Sequence, residues 1–367
     1  MTAKVYYADL RTNYRENLQQ KLTRLMKTAG MGDIDFDGKF VAIKIHFGER
    51  GNLAFLRPNW AKTVADFVKE QGGKPFLTDC NTLYVGNRKN ALDHMDNAFE
   101  NGFSPLTTGC QIIIADGLKG LDEAYVPVDG GILVKEAKIG RAIMDADIVI
   151  SLSHFKGHEE AGFGGALKNL GMGSGSRAGK MEQHNQGKPL VVEKRCVGCG
   201  SCAKICAHDA THVVDGKASI DHSKCVGCGR CIGICPRDAV VPANDGSCKD
   251  LSRKISEYAK AVVDGRPNFH ISLVIDVSPN CDCHHENDAA IVPNVGMFAS
   301  FDPVALDVAC ADAVNAQPVI RTSALGESEC SEGDHFHKVH PETNWMAGID
   351  HAEKIGLGTR EYELIKI

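Results

Sequence analysis

Cys196-Val-Gly-Cys199-Gly-Ser-Cys202-Ala-Lys-Ile-Cys206 and its echo, Cys225-Val-Gly-Cys228-Gly-Arg-Cys231-Ile-Gly-Ile-Cys235-Pro236, decide how this chain divides. Each run has the spacing C-x2-C-x2-C-x3-C. Three thiolates at three-residue steps wrap a short loop round three corners of one iron–sulfur cubane. The fourth cysteine starts the next helix, points away and reaches the other cluster. The ligation expected is therefore crossed. One four-iron, four-sulfur cluster takes Cys196, Cys199, Cys202 and Cys235, and the other takes Cys225, Cys228, Cys231 and Cys206. Zinc also binds paired C-x2-C, but it needs only four ligands per site, and two full four-cysteine runs overshoot that pattern. Gly198, Gly200, Gly227 and Gly229 let the backbone curl close to sulfur.

Outward from this segment the pattern changes. Short, nearly continuous apolar runs, Lys4–Tyr7, Phe40–His46, Pro75–Thr78, Gln111–Ala115 and Ile148–Leu152, read as strands covered on both faces, and His270–Val277 adds another beyond the cysteines. Between them lie helical patterns at Tyr14–Ala29, Asn59–Glu70 (with Pro58 just ahead) and Asp302–Val314. The alternation stops near Lys188 and resumes near Lys249. The expectation is an α/β fold, a mostly parallel doubly wound sheet formed by residues 1–187 and 249–367, with residues 188–248 inserted as a small α+β module like a two-cluster bacterial ferredoxin. The Gly-rich run Gly171–Gly179 is expected to be a flexible approach to it. Ala207 stands where the first cysteine run would have proline, a change of stiffness and not of ligands.

The 367 residues are 43% hydrophobic and 24% charged, an ordinary globular composition, with a dispersed net charge of −6. That argues against nucleic acid and membrane surfaces as partners. Neither an eighteen-residue apolar stretch nor the h-region of a secretory signal is seen. Fifteen cysteines in such a chain point to metal rather than to a disulfide framework, in a reducing cytoplasm.

A second constellation follows the strands. His46, Asp79-Cys80-Asn81, Asp116, and the run Ser153-His154-Phe155-Lys156-Gly157-His158-Glu159 each close a predicted strand, and Cys281-Asp282-Cys283-His284-His285 comes after the last. In an open parallel sheet the crevice lies at the carboxyl ends of the strands, so these residues are expected to converge. Cys281 and Cys283, alternate residues on an extended chain, face the same way and with His284 suit zinc or iron, an additional metal ion beyond the clusters. Unligated thiols in a polar loop are the competing reading. His154, Lys156 and His158 are candidates for catalysis, against satisfied histidines and a solvated lysine. Gly162-Phe163-Gly164-Gly165 reads as tight packing rather than as a phosphate nest, Asp302 as a helix cap, and His335, His337 and His340 as exposed.

Ser153–His158, Gly162–Gly173, Cys281–His284 and Pro293–Asp307, together with the doubled cysteine run, resemble the family known as domain of unknown function 362, in the form carrying an iron–sulfur module. The resemblance covers about Ile43 to Ala313 and implies iron–sulfur clusters without a defined reaction. Asn294 departs from it, standing where the family pattern has aspartate. The function expected is an iron–sulfur oxidoreductase that relays single electrons to the strand-end site, acting on a small-molecule substrate or a redox partner protein. A non-enzymatic electron carrier and a metal or cluster delivery protein are the alternatives. A carrier should present a flat surface at the strand ends and an enzyme a preformed pocket.

Overall fold

The computed structural model describes residues 2–84, 86–184, 188–243, 247–330 and 333–367. An eight-stranded sheet forms its centre. In chain order its strands are β1 (Ala3–Asp9), β2 (Phe40–Lys44), β3 (Lys74–Asp79), β4 (Gln111–Ile114), β5 (Ile148–His154), β6 (Asn268–Val274), β7 (Gly296–Ser300) and β8 (Tyr362–Lys366). They lie in the order β8-β1-β7-β6-β5-β2-β3-β4. Only β7 runs against its neighbours, pairing antiparallel with β1 and β6; the other pairings are parallel. The sheet is thus the mostly parallel one expected.

Period-two alternation sends side chains to two cores. Val41 and Ile43 of β2 and Ile148, Ile150 and Leu152 of β5 face helices α1 (Leu18–Thr28) and α2 (Pro58–Glu70). Ala42 and Val149 face the opposite layer. There α3 (Ala166–Ser174), α5 (Cys248–Val263), α6 (Pro303–Asn315) and α7 (Met346–Lys354) cover the sheet, and α4 (Arg177–His184) packs on α3 and α5. Two caps fix helix starts. Asn17 closes a capping box with Gln20, which moves the start of α1 from Tyr14 to Leu18, and Asp302 accepts from the amides of Val304 and Ala305 at the head of α6.

Three expectations change. Gly171–Gly179 is no flexible approach: it belongs to α3 and α4, and a side chain at Gly171 would run into the Ile255 carbonyl of α5. Its glycines serve close helix packing. The strand after the cysteines stops at Val274. His335 and His340 are partly buried, each ring tied to a backbone carbonyl, Gln317 (3.1 Å) and Pro279 (2.8 Å).

The cysteine segment is built differently. Antiparallel pairs Pro189–Val191 with Val240–Pro242, and Thr211–Val214 with Lys217–Ile220, enclose two short helices, Ser201–Ile205 and Arg230–Ile234. The expected boundary at Gly187 lies outside the described residues. Cys202, Ala218, Cys231, Ile232 and Val240 form the segment's core, to which the larger part of the chain contributes Leu83 and, from α4, Met181.

Candidate functional site

Parallel strands deliver their carboxyl ends to one side of the sheet, and a cavity of about 900 Å³, measured to its open mouth, lies there. Its walls include Lys44 and His46 from β2 and the loop after it, Asp79 from β3, and His154 from β5. Lys156 and His158 come from a short hairpin, Lys156–His158 paired with Gly162–Gly164, and Cys281 and Cys283 from the loop after β6. Distant segments therefore meet as the topology of the sheet requires. His154 and His158 do so along extended chain, not on a helix face.

Many of the residues lining the cavity are charged, and most of those charges are matched. Lys44 Nζ lies 2.9 Å from Asp79 Oδ1, both side chains nearly wholly buried, and donates to Asn169 Oδ1 of α3 at 2.9 Å. Burial raises the Asp79 carboxyl, but Lys44 and the neighbouring histidines outweigh it and hold the group well below the usual range. Lys156, which is buried and not solvated, reaches Asp282 Oδ2 at 3.2 Å. His154 presents Nδ1 to the Asp282 carboxylate at 2.9 Å and Nε2 to the Ile275 carbonyl at 2.7 Å, so both ring nitrogens are engaged inside the protein. Burial raises Asp282 too, yet His154 and Lys156 bring it far below its ordinary value.

Cys281 is the centre of this cluster. A tight turn, closed by the His284 amide on the Cys281 carbonyl (3.1 Å), brings the sulfurs of Cys281 and Cys283 together where an extended chain was expected. The Cys283 thiol donates to Cys281 and holds its pKa well below that of a free thiol against burial, which pushes it up. Lys168, Lys156 and His158 add to the lowering. Cys283 is raised correspondingly by its bond to Cys281 and by burial. Lys168 Nζ sits 3.2 Å from Cys281 Sγ. His158 Nδ1 accepts from the Glu160 and Ala161 amides (3.1 Å each), which leaves its ring hydrogen on Nε2, facing the Cys281 sulfur. The result is one buried sulfur, its pKa held down, ringed by three hydrogen donors.

His284 points the other way, to Glu159 Oε1 at 2.7 Å, and this contact raises its pKa. Ligand atoms of Glu159, Cys283 and His284 lie within 4.8 Å of one another. The sequence names Glu159 only as the last residue of the run Ser153–Glu159 and assigns it no role. Lys168 and Lys180 were also missed, because lysines on a helix carry no motif. The expected tight packing at Gly162–Gly165 is present: the Asp307 carboxylate of α6 takes the Ala166 and Leu167 amides at 2.6 and 2.9 Å, occupying the α3 N-terminus that a phosphate would need.

In the cysteine segment, Cys196, Cys199, Cys202 and Cys235 line one small cavity, and Cys206, Cys225, Cys228 and Cys231 line another. Each combines three cysteines of one run with the fourth of the other. Backbone amides of Ala218, Ala239 and Ala210 donate to Cys196, Cys235 and Cys206 at 3.2–3.3 Å, the hydrogen bonding that thiolate ligands of a cluster take. Burial, with Cys228 and Cys225 adding, pushes Cys231 up to about 12, a crowding that a bound cation would relieve. The donor set fits a metal or cluster. The second cavity abuts α4: a side chain at Gly229 would meet Arg177 at 2.7 Å and Met181 at 3.6 Å. Lys180 and His184 of the same helix line the strand-end cavity.

Fold and site together define a cysteine-rich α/β protein with thiol sets suited to metal and a charged strand-end cavity. The chain belongs to the family described as Domain of unknown function (DUF362), which matches residues 41–312. The Thylakoid-associated protein of Synechocystis sp. is 30% identical over 157 residues, 40% of this chain, and the match spans only 43% of that protein's length. Among solved structures, a Thermotoga maritima protein aligns with a TM-score of 0.40 at 13% identity, over 84% of this chain and 60% of its own. The lactate racemase apoprotein from Thermoanaerobacterium thermosaccharolyticum aligns with a TM-score of 0.43 at 11% identity, over 100% of this chain and 83% of its own. Among the described residues no helix is long and apolar enough to cross a membrane.

Proposed function

We propose that this chain is an iron–sulfur oxidoreductase holding two four-iron, four-sulfur clusters by crossed ligation, one on Cys196, Cys199, Cys202 and Cys235 and the other on Cys206, Cys225, Cys228 and Cys231. The observation that carries the reading is the composition of the two cysteine-lined cavities, three thiols from one run and one from the other in each case. Bound clusters supply one-electron transfer. The rest is the work of the chain. Helix α4 touches the second cysteine cavity through Arg177 and Met181 and the strand-end cavity through Lys180 and His184, so it is the short path between them. At the strand ends, His158 and Lys168 hold hydrogens against Cys281, and Lys156 lies beside them; these are the groups from which a reduction would draw protons. His154, engaged at both nitrogens, is a positioning residue that anchors the Cys281–Asp282 turn to the end of β5. A walled cavity rather than a flat surface favours an enzyme over a docking carrier.

A second metal reading attaches to Glu159, Cys283 and His284, whose ligand atoms converge. Imidazole, thiolate and carboxylate suit zinc or iron, and the ion would sit at the cavity mouth.

The test is anaerobic purification with metal and sulfide analysis. About eight irons and eight acid-labile sulfides per chain are expected. Zinc at the cysteine runs with little iron would overturn the proposal. One further ion, lost in Cys283→Ser with the cluster iron unchanged, would support the mouth site.

A further inference from the structure

Lys180 is the exception in the strand-end cavity. Lys44 has Asp79, Lys156 has Asp282, Arg88 has Glu49 at 2.8 Å, and Lys168 has the Cys281 sulfur. Lys180 is 8% exposed, and its Nζ touches only the carbonyl oxygens of Gly175 at 2.6 Å and Gly173 at 3.4 Å. Among the described residues no carboxylate comes within ion-pair distance of it. The acids at the mouth are already taken, Glu159 by His284 and Glu160 by His184 at 3.1 Å. Two carbonyls at the end of α3 satisfy two of the three N–H donors of the ammonium, and the buried carboxylates of Asp116 and Asp79 act on its charge only from beyond ion-pair distance. Removing a charge from water costs several kcal/mol unless an opposite charge meets it. Part of the wall of the same cavity is apolar: Met172 of α3, with Leu251 and Ile255 of α5, lines it.

We propose that the strand-end cavity takes an organic acid, its carboxylate seated against Lys180 and its apolar body against Met172, Leu251 and Ile255. The ammonium and the free donor recognise the head group, and the helix wall removes the body from water. The inference names the substrate class of the proposed electron relay and rests on that reading for the word substrate, but the binding itself requires no electron transfer.

The experiment uses the full chain, purified anaerobically, and calorimetric titration with hexanoate, its neutral analogue hexanamide, and inorganic phosphate. Hexanoate is expected to bind. Hexanamide, which keeps the chain and loses the charge, should bind about ten- to a hundredfold more weakly, the value of one charge-assisted hydrogen bond, and phosphate, which lacks the apolar body, should also bind more weakly than hexanoate. Lys180→Met, close in length and without charge, should lose hexanoate affinity by a similar factor. Lys180→Arg should retain most of it, and Lys27→Met, an exposed helix position, should change nothing. Equal affinity for hexanoate and hexanamide overturns the proposal, as does hexanoate binding that survives Lys180→Met or is undetectable in the wild type. The hexanoate–hexanamide contrast is read on the wild type, so it stands even if Lys180→Met fails to fold. Iron and sulfide content of the same preparation reports on the relay separately, so either idea can fail alone.

Discussion

The cysteine segment and the strand-end cavity hold their functional groups in opposite ways. In the segment, each set of four thiols comes from two short stretches, and the loops that carry them have almost no other task. Its core is small and leans on Leu83 and Met181 from the rest of the chain. In the cavity, Lys44, Asp79, His154, Lys156, Lys168 and Cys281 come from five separate stretches of chain, and each is fixed by a buried partner on another element. A local motif specifies donors and leaves stability to whatever binds them. A site assembled by topology needs its ion pairs to hold it in shape before any ligand arrives.

The sharpest way to break this contrast is to cut the crossed wiring. Cys235→Ala and Cys225→Ala each remove one thiol, from different cavities. Each should eliminate one of two spectroscopically distinct clusters, about half of the iron, and leave the other signal in place. Two variants that injure the same cluster would show the wiring to be uncrossed. Neither should disturb the main sheet, since the cavities lie off it.

The cavity should respond in the opposite manner, through stability. Asp282 is fully buried between His154 and Lys156. Asp282→Asn leaves the Lys156 ammonium without its carboxylate and changes the acceptor of His154 Nδ1, and breaking a buried pair costs about 3–5 kcal/mol. The pH dependence fixes the sign. The folded-state pKa of Asp282 lies below its unfolded value of about 3.9, so its contribution is fully present above that value and is lost as pH falls through the folded pKa. Urea midpoints of wild type and Asp282→Asn should differ most near neutral pH and converge as the solution is acidified below about pH 4. A gap independent of pH would mean that the carboxylate charge does not hold the turn.

These expectations separate what the residues disclosed from what they withheld. The cysteine sets were legible because ligand spacing is a local property. The parallel strands were legible from short apolar runs, and with them the meeting of His154, Lys156, His158, Cys281 and Cys283 at the strand ends. The antiparallel β7 was missed, since Gly296–Ser300 is a five-residue run with nothing local to state its direction. At Cys281–His284 the thiol spacing is compatible with an extended chain as well as with the tight turn that forms. Lys168, Lys180 and Asp307 act through partners more than a hundred residues away or through the lack of one, and no spacing rule reaches that far. Gly171–Gly179 was read as slack because glycine marks both flexible chain and close helix contact, and only the neighbour, Ile255, distinguishes them.

The smallest expected effect lies within the cavity and tests whether its charges are tuned or merely tolerated. A side chain at Gly164 would lie 3.2 Å from Lys168 Cδ and 3.7 Å from Lys156 Nζ. The first contact is tight and the second ordinary, and both atoms belong to flexible side chains that can give by a few tenths of an ångström. Gly164→Ala should therefore cost less than about 1 kcal/mol in a urea melt, within the range of a tolerated overpacking. Its effect should appear elsewhere. Lys168 is the ammonium against Cys281, and moving it away removes part of what lowers the pKa of that thiol. The pH profile of Cys281 alkylation, read by peptide mass spectrometry, should shift upward relative to wild type while the fold melts almost unchanged. A matching shift in Lys168→Met, larger because the charge is gone, would assign the effect to the lysine. An alkylation profile that does not move in either variant would leave Cys283 and His158 as the groups that hold the Cys281 thiolate.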